Sequence, residues 1–208
     1  MNKPKRKRYA TSISKMVYDA DALNMFSVCR SHKEKALLSL AWITGGRASE
    51  LMNVKVKDIK PIGNTFVLIK LDTLKKRNTE QRFQTTERTL RYNLTGDRQN
   101  PFLTYIVMRN NSLDSDAYFI SGKKKNLTTS WARKTMKRIS IEGINRHISL
   151  YHLRHSLFTQ FIRNGGTLSE LMHLKGASDI NSCKPYIHAT DFVMPTLDRS
   201  DSLGIDEG

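Results

Sequence analysis

Between residues 151 and 188 the chain carries two glycine-terminated helical segments and then presents a tyrosine, and this succession limits the possible folds more than any other stretch. Leu153, Leu157, Phe158 and Phe161 recur at helical spacing around Arg154, and Gly165-Gly166 stops that helix, because glycine accepts the left-handed backbone that follows a helix end. Thr167, with Glu170 three residues on, reads as a capping box that starts a second helix, and Leu168, Leu171 and Leu174 face the core before Gly176 breaks the chain again. Ser178 or Asp179, both good N-caps, then opens a short segment carrying Tyr186. An arginine fixed on one helix and a tyrosine presented after the next suit a protein that attacks a phosphodiester.

Charge narrows the partner. Among 208 residues, 35 Lys+Arg against 19 Asp+Glu give a net charge of +16, while 38% hydrophobic content is enough for one packed core. Such an excess points to a nucleic-acid partner, since each neutralised phosphate releases counterions. Cys29 and Cys183 are too few and too far apart for a disulfide framework or a zinc site. No run approaches the roughly 18 apolar residues of a membrane span and no signal peptide opens the chain, so the expectation is a cytoplasmic or nucleoid-associated protein with no membrane partner.

Residues 1–18 form a basic arm with Lys3, Lys5, Arg6, Lys7 and Arg8. A helical stretch over 19–29 is capped by Asp19 or Asp21, and a stronger helix runs from Ser31 to Ile43, with Ala36, Leu37, Leu40 and Ala41 on one face. It ends at Thr44-Gly45-Gly46; Arg47 follows directly, and Glu50, on the same face of a second short helix, would buttress its guanidinium. Residues 65–71 and 88–94 read as strands joined by a polar hairpin carrying Lys75, Lys76, Arg77 and Arg82. A helix from Pro101 to about Asn110, an extended piece at 117–120, a basic loop at 122–125 and a helix from about Thr128 to Ile141 complete the body, the last with Arg133, Lys134, Lys137 and Arg138 as a basic face. The basic loop is no phosphate-binding Walker loop, lacking the second glycine and the GK[ST] ending. The fold class is therefore mainly α with a small antiparallel β-sheet (α+β), built from 65–71, 88–94 and the candidate third strand 117–120. The body spans 19–190, and 191–208 is an acidic tail whose Phe192, Val193, Met194 and Leu197 are its apolar part.

Three segments carry a family resemblance. TGGRASEL at 44–51 resembles the first arginine box of the tyrosine recombinases (phage-type integrases), written TGxRxxEL; LRHS at 153–156 resembles their second box, HxLRH; LKGASDINSCKPYIH at 174–188 resembles their terminal LGHxxxxxTxxYxH. The resemblance covers about 30–190 and implies a tyrosine recombinase catalytic-domain fold. It implies that Arg47 and Arg154 bind the non-bridging oxygens of the scissile phosphate. Tyr186 would be the nucleophile that forms a 3′-phosphotyrosine, and Lys75, or Lys76 as runner-up, the acid that protonates the departing 5′-oxygen. The phosphotyrosine keeps the bond energy, so no ATP is required, and the resemblance implies no metal and no cofactor, which fits the lack of a clustered carboxylate or His/Cys motif in the sequence. Integration or excision of a mobile or viral element on paired DNA sites is the implied function, with a homotetramer assembled in part through the segment after Tyr186.

Two positions depart from the family. Tyr151 stands where a histidine usually precedes the second arginine, with His152 one residue out of register, and Tyr151 can still hydrogen-bond a phosphate or serve in proton transfer. Ala177 stands where histidine or tryptophan usually follows the glycine, and its methyl group donates no hydrogen bond. The family's separate helical DNA-clamping domain has no counterpart in the roughly 30 residues before the first strong helix, so the expectation is an excised catalytic domain or an unusually small recombinase. The rival readings are a catalytically impaired recombinase-like DNA binder, a type IB topoisomerase or telomere-resolvase relative, and a basic structural protein of ribosomal kind. The arginine–tyrosine spacing argues against the last of these.

Overall fold

The computed structural model describes residues 15–75, 84–94, 100–177 and 179–187. Its elements are α1 (Asp19–Ser27), α2 (His32–Thr44), α3 (Ala48–Asn53), a 3-10 turn at Val56–Asp58, β1 (Ile59–Ile62), β2 (Phe66–Lys75), β3 (Gln84–Asn93), α4 (Pro101–Asn111), α5 (Thr129–Ile144), α6 (Leu150–Arg163), α7 (Leu168–Lys175), a second 3-10 turn at Ile180–Cys183, and α8 (Lys184–Ile187). The expected class holds: helices surround a small antiparallel sheet of order β1-β2-β3. The basic arm as far as residue 14, the hairpin tip with Lys76, Arg77 and Arg82, and the acidic tail lie outside the described residues.

Helix α2 is the centre of the core. Ser31 caps it by accepting from the Glu34 amide, and every residue from Ala36 to Thr44 is buried. The sequence suggested one apolar face; an element packed on several sides instead is apolar around most of its circumference. It lies against α4 and α6, with α1, α3 and α5 adjoining. Leu37, Leu38 and Leu40 are fully buried, each worth about 2 kcal/mol relative to exposure.

The sheet differs from expectation in its third strand. Residues 117–120 do not join it: Tyr118 makes only isolated bridges to Lys55 and Lys123, while Ala117 and Phe119 pin the 54–56 loop through single backbone bonds. The third strand is β1, paired antiparallel with β2 from Ile59↔Ile69 to Ile62↔Phe66. Pro61 concealed it, because proline is tolerated in a strand only at a sheet edge, which is where β1 lies. The hairpin strands run further into the polar stretch than their apolar parts indicated, pairing from Phe66↔Asn93 to Lys75↔Gln84.

Two helix boundaries also moved. Tyr18, not Asp19 or Asp21, is the N-cap residue of α1, and Asp21 accepts from the Tyr18 amide at 3.2 Å. Helix α5 continues through Gly143 to Ile144, although glycine usually weakens a helix. A Cβ at Gly143 would stand 2.8 Å from the Cα of Met25, so the missing side chain lets α5 and α1 approach closely. Thr167 and Glu170 form the expected capping box of α7, with Thr167 N donating to Glu170 Oε2 at 2.8 Å. A second, smaller apolar cluster gathers Phe158, Leu171, Cys183 and Tyr186 where α6, α7 and α8 meet.

Candidate active site

The turn between α2 and α3 fixes the first arginine. Thr44 donates to the Leu40 carbonyl at 2.6 Å and accepts from the Gly46 amide at 3.1 Å, which closes the end of α2 and leaves Arg47 as the N-cap of α3. Glu50, at the third helical position, accepts from the Arg47 amide at 2.8 Å and from its Nη1 at 2.6 Å. Glu50 thus buttresses the guanidinium as the spacing suggested. The Arg47 side chain remains 43% exposed while that of Glu50 is 1% exposed, so the guanidinium is anchored at one edge and open to the cleft.

Glu50 has a second partner that sequence reading missed. Arg88 of β3 donates its Nη2 to Glu50 Oε2 at 2.8 Å with its side chain only 4% exposed. Burial opposes ionisation of Glu50, but the hydrogen bond and charge of Arg88, aided by Arg47, outweigh it and hold the carboxyl at about 2. The signal was parity: Arg88 alternates with Leu90 on the core-facing side of β3, where a cation must find a buried anion.

Arg154, on the first turns of α6, is 7% exposed and crosses between two helix ends. It donates Nη1 to the Gly45 carbonyl and Nη2 to the Lys175 carbonyl at 2.7 Å, and its guanidinium lies 4.6 Å from the centroid of the Phe158 ring. These contacts leave the fork little freedom. Burial and then the charge of Arg47 push its pKa down to about 10, still far above neutral pH, so it stays a cation. Arg47, Arg154, Tyr151 and Arg133 line a cleft of about 330 Å³ together with Gly46 and Ser149. Arg133, on the basic face of α5, takes a place in the cleft beside the other two arginines.

Tyr151 stands at the rim, 63% exposed. His152 is turned away: its Nδ1 accepts from the Ser149 amide at 3.0 Å while Ser149 accepts from the His152 amide, so it closes the cap of α6. Tyr186 follows the Asp179-capped 3-10 turn and is 5% exposed. Its ring packs on His155 at 5.0 Å and edge-on against Phe158 at 5.7 Å. Burial pushes its phenol up to about 12; the charge of Arg154, and more weakly that of Arg47, pulls the other way. Phe158 links the two functional side chains, with the Arg154 guanidinium over its ring and Tyr186 against it. His155, read only as part of the arginine box, is a buried neighbour of Tyr186 whose Nδ1 meets Thr159 Oγ1 at 3.1 Å, and burial lowers its pKa. Lys75 ends β2 opposite Gln84, and its backbone alone is described; Lys76 lies outside the described residues. Among the described residues there is no cluster of three or more metal-ligating side chains, and no helix is long and apolar enough to cross a membrane.

Residues 13–192 match the model of the phage integrase family. The chain belongs to that family. Among curated relatives, the tyrosine recombinase XerD of Oceanobacillus iheyensis is 27% identical over 165 residues, 77% of this chain and 51% of that protein. XerD of Listeria innocua is 28% identical over 162 residues, 76% of this chain and 50% of that protein. The chain thus spans about half the length of the curated integrase-family relatives it matches. The fold is shared with solved structures. XerA recombinase gives a TM-score of 0.60 at 20% identity, covering 83% of this chain and 60% of that one. XerH bound to its difH substrate in a pre-cleavage complex gives 0.59 at 17%, covering 84% and 50%. The integrase of mycobacterium phage Brujita gives 0.58 at 18%, covering 92% and 58%.

Proposed function

We propose that this chain is the DNA breaking-and-rejoining unit of a site-specific recombinase that integrates or excises a mobile or viral element. The carrying observation is the convergence of Arg47 and Arg154 on one cleft, with the Tyr186 ring packed against Phe158, over which the Arg154 guanidinium also lies. In this reading the two guanidinium groups bind the non-bridging oxygens of a scissile phosphate, where negative charge builds in the transition state. Tyr186 Oη bonds to phosphorus, its proton is lost to water, the bond to the 5′-oxygen breaks, and Lys75 protonates that oxygen. The product is a 3′-phosphotyrosine and a 5′-hydroxyl, and attack by a 5′-hydroxyl of another strand reverses the step. The arginines carry the charge and the phosphotyrosine conserves the bond, so the chemistry calls for neither metal nor ATP.

Double-stranded DNA is the proposed partner, supported by the net charge of +16 and by the fold neighbours XerH, described bound to its difH substrate, and the Tn1549 transposon integrase, described in complex with a circular intermediate DNA. The proposed catalytic body runs over 19–190, flanked by the basic arm and by a tail that packs on a second protomer in a tetramer on two DNA sites. A DNA-binding relative without cleavage activity is the second reading, favoured by the burial of Tyr186 and by Ala177. One experiment separates the two. A pool of duplexes with a randomised core, nicked so that the cleaved end diffuses away, is incubated with the chain and with Tyr186→Phe. A covalent DNA adduct on denaturing gels from the parent alone supports cleavage; retained binding without any adduct supports the second reading.

A further inference from the structure

We propose that Lys175 is a third cationic contact to the scissile phosphate, serving where the methyl group of Ala177 cannot. The inference rests on the strand-cleavage reading above and concerns a residue that no family box assigns. Lys175 is the last residue of α7, and its carbonyl already holds Arg154 Nη2 at 2.7 Å, so its backbone is built into the arginine site. Its side chain folds over the tyrosine element: the ammonium lies 5.2 Å from the centroid of the Tyr186 ring and donates to the Ser182 carbonyl, in the turn just before that tyrosine.

A lysine at a helix C-terminus has an ordinary explanation in the helix dipole, worth about 0.3–1 kcal/mol. A side chain placed for the dipole alone would extend into water, where its hydration is strongest. This one is half-buried, and both Arg154 and Arg47 repel it. Asp179 and Cys183 are the groups on the other side that favour its charge. An ammonium has three donors, and the Ser182 carbonyl takes one; among the described residues no other acceptor meets it. Arg47, Arg154 and Lys175 repel one another around the Tyr186 element, while Glu50 is engaged by two arginines and Asp179 accepts from Asn181, so the site is short of an anion. A phosphodiester oxygen supplies it.

The test uses duplexes recovered from the adduct-forming pool, in two versions: one with an ordinary scissile phosphate and one with an uncharged methylphosphonate there. Lys175→Met keeps the apolar stem, and Lys175→Arg keeps the charge. The expected result is adduct formation slowed about a hundredfold by Lys175→Met on the phosphate and largely recovered by Lys175→Arg. The Lys175→Met deficit should shrink about tenfold or more on the methylphosphonate, which needs less cationic stabilisation. Calorimetric titration of the DNA-free chain with tungstate, a phosphate-shaped dianion, should show affinity weakened about tenfold by Lys175→Met and preserved by Lys175→Arg. Equal slowing by both variants on both DNAs, or unchanged tungstate affinity, overturns the proposal and leaves Lys175 a brace between α7 and the Tyr186 turn. If the parent forms no adduct, the strand-cleavage reading alone falls, and tungstate still decides whether Lys175 is an anion ligand.

Discussion

Arg88 donates to Glu50 at 2.8 Å with both side chains closed to water, so the carboxylate that braces Arg47 is itself braced from β3. Breaking a buried pair from one side strands the other charge in the core, which costs about 3–5 kcal/mol. Arg88→Met should therefore lower unfolding stability by that order in urea denaturation, whereas Arg47→Met, losing a partly exposed partner, should cost about 1 kcal/mol or less.

The same pair sets acid sensitivity. Glu50 is held at about 2 in the folded chain against 4.5 for a free carboxyl, a lowered folded pKa. Its contribution is complete above the unfolded value and is lost as pH falls from there through about 2. Denaturation curves between about pH 6 and pH 2.5 should show roughly 2–3 kcal/mol of stability disappearing on the acid side. Glu50→Gln should be less stable at neutral pH but lack this part of the slope; an identical slope in the variant would assign acid sensitivity elsewhere.

Gly176 lies over the same arginine. Its φ of +62° is a left-handed conformation, and a Cβ there would stand 2.7 Å from Arg88 Nη1. Gly176→Ala adds backbone strain of about 1 kcal/mol and pushes the guanidinium away from Glu50. The expected outcome is a drop of several degrees in Tm, with adduct formation reduced more than DNA binding, because the turn lies between Lys175 and the Tyr186 segment.

These contacts show where sequence reading succeeds and where it stops. Helix ends were legible because the glycines and capping residues act locally: Thr167 with Glu170, and Ser31 before α2, behave as their spacing dictates. Arg47 was legible for the same reason, fixed by the glycine pair before it and by Glu50 three residues on. Arg88 was not: its parity with Leu90 marks the core side of β3, but the carboxylate that makes a buried guanidinium tolerable lies 38 residues away in the chain. Strand β1 was hidden by Pro61, and 117–120 looked strand-like through composition that serves packing instead. His152 illustrates the converse. One residue beside the family's histidine position, it is consumed by a helix cap, which only coordinates reveal.

Tyr186 should titrate late. Its phenol is raised from 10.0 to about 12, so the folded state gains stability from it below the unfolded value and loses that gain as pH rises through about 12. Ultraviolet difference titration of the parent minus Tyr186→Phe should show one tyrosine ionising near the upper value. Tyr186→Phe removes only the hydroxyl from the packed ring, so Tm and DNA affinity should hold while the adduct disappears.

The general acid can be assigned by the leaving group it serves. A DNA whose scissile 5′-oxygen is replaced by sulfur departs as a thiolate and needs no proton. If Lys75 is the acid, Lys75→Ala should slow adduct formation about a hundredfold on ordinary DNA and far less on the sulfur substrate. Lys76→Ala should then affect both DNAs alike. The reverse pattern would move the role to Lys76.

Tyr151 offers the last test, because it occupies the family's histidine position and stands exposed at the cleft rim beside Arg154. A phenol there is both donor and acceptor, so it can bind a phosphate oxygen or pass on the proton lost by Tyr186. Tyr151→Phe removes both capacities and should lower the adduct rate about tenfold to a hundredfold with little change in Tm, since so exposed a side chain contributes little packing. Tyr151→His restores a donor with a different pKa, and should recover the rate while moving the pH at which it half-saturates toward the imidazole range near 6.5. Recovery with such a shift identifies proton transfer at this position; recovery without one identifies hydrogen bonding to the phosphate. A rate untouched by Tyr151→Phe would remove Tyr151 from the site and leave Arg47, Arg154 and Lys175 to hold the phosphate alone.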